Sequence, residues 1–130
     1  MSDEATQQLR AEISQWMADH LCGRFEPLRF RGNAGDGDAL PELRKEWERE
    51  LASGGWTCPG WPGEWGGRAL SVAEQVAFQE EYGRAGGPGR MGHIGEGLLG
   101  PTLIAFGTQE QKERFLPGIR AGSEFWCQGY

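Results

Sequence analysis

Gly100-Pro101-Thr102-Leu103-Ile104-Ala105-Phe106-Gly107-Thr108-Gln109-Glu110-Gln111-Lys112-Glu113-Arg114-Phe115-Leu116-Pro117 reads as the end of one helix, a stop, and the capped start of another. Working back from Phe106, the residues Ile104, Leu103, Leu99, Leu98, Ile94 and Met91 keep one apolar side at helical spacing, which predicts a helix from about Arg90 to Phe106. Pro101 lies inside it and is expected to kink it, because its nitrogen carries no hydrogen to donate. Gly107 ends that helix, and Thr108-x-x-Gln111 sets a hydroxyl and a side-chain amide at the spacing of a reciprocal cap. The capped helix is predicted through about Arg120, with Phe115, Leu116 and Ile119 inside and Pro117 as a local irregularity. Beyond the turn at Gly122-Ser123, the run Phe125-Trp126-Cys127-Gln128-Gly129-Tyr130 has the aromatic content of a strand but no partner strand in the chain to satisfy its backbone.

The same logic extends toward the N-terminus. Leu9, Ile13, Trp16, Met17 and Leu21 form one stripe of a first helix, Asp3 to Cys22, stopped by Gly23. Residues 25–38 hold Pro27, Gly32, Gly35 and Gly37 and read as a long connection. Pro41 suits the first turn of a second helix, in which Leu40, Leu43, Trp47 and Leu51 give the apolar side and the intervening charges a solvated one. Ser53-Gly54-Gly55 ends it. The stretch from Trp56 to Gly67, with three tryptophans among prolines and glycines, fits no regular element. Ser71-x-x-Glu74 is a second capping box, opening a third helix through about Tyr82. The expected class is therefore all-α: a bundle of about five helices over residues 1–122, followed at 123–130 by an orphan first strand of a β domain.

Composition narrows the function. Acids outnumber bases 19 to 13, for a net charge of −6. Phosphate backbones are bound by concentrated Lys and Arg, so a nucleic-acid partner is not expected. No apolar run spans a bilayer, and Met1-Ser2-Asp3-Glu4 lacks the basic and apolar regions of a secretion signal, which predicts a cytoplasmic protein. Cys22, Cys58 and Cys127 lie far apart with two histidines in the chain, so no metal-ligand set is expected and the thiols read as small buried hydrophobes.

No catalytic residue can be assembled from these elements. His20 sits at a helix C-terminus and His93 in a glycine-rich segment, neither beside a positioned acid or nucleophile. The turn Gly83-Arg84-Ala85-Gly86-Gly87-Pro88-Gly89 lacks the strand and lysine of a phosphate loop and reads as a helix-ending turn. Glu46, Glu48, Glu50, Glu80 and Glu81 lie among Lys and Arg on predicted helix faces, where exposed charge is ordinary.

Four segments nevertheless resemble the acyl-CoA dehydrogenase family: Trp61-Pro62-Gly63-Glu64-Trp65-Gly66-Gly67, the helix after Ser71, the Gly100 to Pro117 stretch, and Trp126-Cys127-Gln128-Gly129-Tyr130. Their order and spacing carry the resemblance, the first two helices are compatible with it, and the Trp-Cys-Gln-Gly version is most similar to bacterial, actinobacterial-type members. The resemblance implies an N-terminal helical domain cut at the start of the middle β domain, with FAD held mainly by domains beyond Tyr130 and by a neighbouring subunit. It also implies α,β-dehydrogenation of acyl-CoA thioesters in fatty-acid or related lipid catabolism. The glutamate that removes the α-proton, and the Ser/Thr-Glu-Pro-x-x-Gly-Ser-Asp segment that meets the flavin, both lie outside these 130 residues, so the fragment alone is expected to be inactive.

Carried over by position, the resemblance makes Gln128, Gly129 and Tyr130 candidate flavin contacts, and His93, Ile94 and Gly97 candidate neighbours of the acyl chain. Glycines on that pocket wall would leave room for a bulky acyl group, or would serve a close helix crossing. Electron-transferring flavoprotein and a homo- or hetero-oligomeric assembly follow from the family. The alternative is a non-catalytic helical module that binds acyl chains or pairs with a dehydrogenase subunit.

Overall fold

The computed structural model describes residues 3–130; Met1 and Ser2, which open both the N-terminal tetrapeptide and the domain expected from residue 1, lie outside the described residues. Five α-helices are present among the described residues: α1 (Asp3–His20), α2 (Pro41–Ser53), α3 (Val72–Arg84), α4 (Gly100–Phe106) and α5 (Gln109–Arg120). Three tighter or wider turns accompany them, a 3-10 turn at Gly23–Leu28, another at Gly63–Trp65, and a π turn at Gly95–Leu99. No strand occurs among the described residues, and residues 123–130 form no regular element. A strand needs a partner ladder, and this run has none. The chain divides into two compact units, residues 3–44 with 70–89, and residues 45–69 with 90–130.

In the first unit α1 pairs with α3. Leu9, Ile13, Met17 and Leu21 of the predicted stripe are buried, as are Ala77, Phe78 and Tyr82 of α3. Each fully buried aliphatic or aromatic side chain of this kind contributes about 1.5–3 kcal/mol relative to leaving it in water. Trp16 is only half-buried and stacks on His20 with ring centroids 4.0 Å apart. The Ser71 capping box forms as expected: Glu74 N–H donates to Ser71 Oγ at 3.2 Å, and Ser71 N–H to Glu74 Oε1 at 3.0 Å. The long connection is more ordered than its composition suggests, because the Gly23–Leu28 turn buries Phe25 and Leu28.

Three expectations need correcting in these elements. Leu40 lies outside α2, at φ 44° and exposed, so it is not on the apolar side of that helix. Arg44 and Glu48, read as solvated, are buried at 5% and 1% exposure, and Glu81 of α3 is buried at 7%. Apolar periodicity cannot anticipate charges that go inside because they are paired. Glu81 is held by Arg10 at 3.1 Å and by Arg84, while Arg44 donates to the carbonyls of Gly32, Gly37, Ala39 and Gly89. Gly89 explains part of the glycine-rich turn, since a Cβ there would overlap the Gly32 carbonyl. Of the thiols, Cys58 is buried, whereas Cys22 and Cys127 are exposed, contrary to the buried reading.

The second unit has its core at Cys58, Trp61, Leu116 and Ile119, with Trp65, Leu99, Leu103, Ile104 and Trp126 packed on it. Two of the loop tryptophans, Trp56 and Trp61, are buried, so the loop contributes side chains to the core. Arg68 lies over the Trp56 ring at 3.4 Å and donates to the Gly54 and Gly55 carbonyls, which fastens the loop to the end of α2. The Thr108–Gln111 capping box forms, at 2.9 and 3.1 Å.

Candidate functional site

The predicted fourth helix is real but not uniform. It begins at His93, passes through the π turn, and continues as α4 to Phe106. The π turn closes with Gly100 N–H donating to the Gly95 carbonyl, five residues back. The next bond in that register would join the amide of residue 101 to the carbonyl of Glu96, and residue 101 is a proline with no N–H. The Trp61 indole N–H takes that carbonyl instead, at 2.9 Å. Pro101 thus stands where the helix changes from the π register to the α register. Gly100 is required by the same contact, because a Cβ there would overlap the Trp61 ring.

Widening the helix presents Ile94, Leu98, Leu99 and Thr102 along one side of a groove of about 280 Å³, closed on the other by Trp126, Cys127 and Gln128 of the C-terminal run. Trp126 is anchored edge-on against Phe115, with centroids 5.3 Å apart. Its indole N–H is buried and has no acceptor among the described residues. The Thr102 hydroxyl is engaged by the Leu98 carbonyl of its own helix at 2.8 Å, which leaves the groove wall mostly apolar. Such a surface can hold a hydrocarbon body and offers no nucleophile or acid–base pair.

Of the residues singled out in the sequence, Ile94 and Gln128 line this groove. His93 and Gly97 are exposed on the same helix, outside the lining, and a Cβ on Gly97 would meet nothing within 4 Å. Gly129 and Tyr130 are exposed at the end of the C-terminal run. Sequence reasoning set Leu98 and Leu99 on the apolar side of the helix and Trp126 and Cys127 in a segment that resembles the family, but named none of these, nor Thr102, as a site residue. Gly95 packs against Ile119 and Trp126 and Gly100 against Trp61, so these two glycines serve close packing.

Next to the π turn lies a charged cluster. Arg90 donates to both oxygens of Glu48, at 2.9 and 3.1 Å, and also to Glu96. Glu48 further accepts the N–H groups of Met91 at 2.6 Å and Gly92 at 3.1 Å, where the helix begins. Burial pushes the Glu96 carboxyl up to about 8; the Glu48 carboxylate adds to the rise and Arg90 opposes it. Burial, and then Glu96, push the Cys58 thiol up to about 12, which keeps it an inert hydrophobe.

Residues 3–123 match the family model described as "Acyl-CoA dehydrogenase, N-terminal domain". The chain is 54% identical over 124 residues to acyl-CoA dehydrogenase IpdE1 of Mycolicibacterium smegmatis, and 52% identical to that of Mycobacterium tuberculosis, covering 95% of this chain and 32% of each relative. It therefore spans about a third of the length of these relatives. Among solved structures it is similar to the Tcur3481-Tcur3483 steroid ACAD, with a TM-score of 0.74 and 34% identity over 96% of this chain and 31% of that one. It is also similar to the ChsE4-ChsE5 complex from Mycobacterium tuberculosis, with a TM-score of 0.73 and 30% identity over 95% and 29%. No helix among the described residues is long and apolar enough to cross a membrane. The chain belongs to the acyl-CoA dehydrogenase family, as its N-terminal helical domain.

Proposed function

We propose that this chain forms part of an FAD-dependent dehydrogenase that oxidises the α,β-bond of a bulky, steroid-derived acyl-CoA thioester, and that its second unit walls the acyl end of the site. The observation that carries this reading is the apolar groove between the π-turn helix and the Trp126–Gln128 run, on a chain whose structural relatives include a protein titled a steroid ACAD. Ile94, Leu98 and Leu99 would bear on the hydrocarbon body and exclude water from it, and Trp126 would give one flat side.

FAD, when bound, supplies the acceptor for the β-hydrogen. The residues at the end of the chain are compatible with it: Gln128, Gly129 and Tyr130 are exposed and belong to no regular element, so their amides and the Gln128 side chain are open to the polar edge of a flavin. The buried Trp126 N–H without an acceptor fits a surface that another part of the assembly completes. His93 and Gly97 would then lie at the rim of the acyl site. The α-proton would be taken by a carboxylate outside this chain, electrons would leave to an electron-transferring flavoprotein, and a two-component assembly is in keeping with the paired names of the structural relatives.

The test is to purify the protein from its natural source and add acyl-CoA thioesters under anaerobic conditions. A yellow protein whose visible absorbance bleaches with a steroid-derived thioester supports the reading. A flavin-free species of 14.4 kDa that does not respond, but co-purifies with a dehydrogenase subunit, overturns it in favour of a non-catalytic module.

A further inference from the structure

The cluster beside the π turn holds two carboxylates and one guanidinium, and all three are nearly out of water: the side chains of Glu48, Arg90 and Glu96 are 2%, 13% and 14% exposed. The partners are divided unevenly. Glu48 has Arg90 and two backbone N–H groups, whereas Glu96 has Arg90 alone among the described residues. Two like charges close together in a poorly solvated site do not both stay ionised, and the one with fewer donors takes the proton. The groups facing Glu96 come from every side: Glu48 from α2, the Cys58 thiol from the tryptophan loop, and Arg90 from the segment before the helix, with Arg120 of α5 acting on Cys58. His93 is the nearest histidine in sequence, its Nδ1 3.3 Å from the Arg90 carbonyl.

Glu96 is also the second residue of the π turn, its carbonyl is the one that Trp61 holds, and Leu98 and Leu99 of the same turn form the groove wall. We propose that Glu96 is a proton-linked latch on the groove: as the neutral acid it stays in the cluster and keeps the π turn, and as the carboxylate it leaves for water and lets Leu98 and Leu99 shift. The latch is a property of the groove wall and stands whatever the groove binds. With its carboxyl pushed up to about 8 by burial, the neutral form prevails at neutral pH and the released form above about pH 8.

The experiment is a pH titration of the isotopically labelled 130-residue chain by NMR, from about pH 5 to pH 9.5, reading the Glu96 side-chain carboxyl carbon, the amides of Gly95–Leu99 and the Trp126 indole. The expected result is one shared midpoint near 8 for all of them. It should persist in a His93→Gln background and vanish in Glu96→Gln, whose π-turn amides should remain at their low-pH positions. A carboxyl midpoint in the ordinary carboxylate range would overturn the proposal. So would π-turn amides that stay still while the carboxyl titrates, or a π-turn transition that survives in Glu96→Gln. Should that variant fail to fold, the wild-type curves decide alone: coincident midpoints support the latch and separate ones refute it.

Discussion

Each unit holds an arginine largely out of water, and the two are satisfied in opposite ways. Arg44 of the first unit sends its hydrogen bonds to four neutral carbonyls, at 2.8–3.3 Å. Arg90 of the second is shared between two carboxylates. Carbonyls do not titrate, so the first arrangement is the same at any moderate pH and can break only by losing the cation. The second carries one carboxylate more than it can neutralise, so its state depends on a proton. Where a charge is buried therefore says less about a protein than what it is buried against.

The largest expected effect comes from Arg44→Met, which would leave four carbonyls without a donor. Denaturant unfolding should show a loss of about 3–5 kcal/mol, and an unchanged midpoint would mean that water replaces the guanidinium easily. Next is pH, to which the two units should respond with opposite signs. Glu96 has a folded pKa above its unfolded value of 4.5, so its contribution is complete below pH 4.5 and is lost as pH rises through about 8. Asp36 of the first unit is held down to about 2, first by its hydrogen bond from Arg31 and then by the Gly32 N–H. Its contribution is therefore present above pH 3.8 and disappears as pH falls through 2. Residue-resolved amide exchange in mild base and in acid distinguishes the two; weakening of both units in base would break the comparison.

A smaller change, Gly100→Ala, adds one methyl group against Trp61 and should cost about 1–3 kcal/mol by overpacking. Slower tryptophan-loop exchange in the variant than in the parent would contradict this. Smallest are the two caps, Ser71→Ala in the first unit and Thr108→Ala in the second, each expected to lower stability by about 1 kcal/mol. Because their hydrogen-bond geometry is alike, unequal losses would sharpen the contrast between the units rather than abolish it.

Much of the fold was readable in advance, for a local reason. Both capping boxes, the Gly107 stop and the buried stripe of α1 depend on residues within a turn or two of each other, and such patterns survive in a linear text. The π turn was not readable, because its sign in the sequence is a single Pro101 that a kink would explain equally well. The buried Arg44, Glu48 and Glu81 were misread because each has a partner remote in sequence beside any near one; Gly89 is 45 residues from Arg44, Arg90 is 42 from Glu48 and Arg10 is 71 from Glu81. Leu40 matched the apolar spacing of α2 but fell on the turn before it, at positive φ. Of the groove's lining, the resemblance had named Ile94 for the acyl chain and Gln128 for the flavin. Trp126 entered through its packing on Phe115, which only three dimensions reveal.

Trp61 and Gly100 amount to a single structural feature written at two places. The indole fills the space that the missing side chain leaves, and its N–H answers the carbonyl that Pro101 orphans. A lineage that enlarges residue 100 must shrink residue 61, and then a carbonyl of the helix loses its donor unless residue 101 also regains an N–H. Substitutions at 61, 100 and 101 should consequently travel together through related sequences, and a hybrid gene that takes the tryptophan loop from one relative and the π-turn helix from another should fold poorly even when both parents fold well.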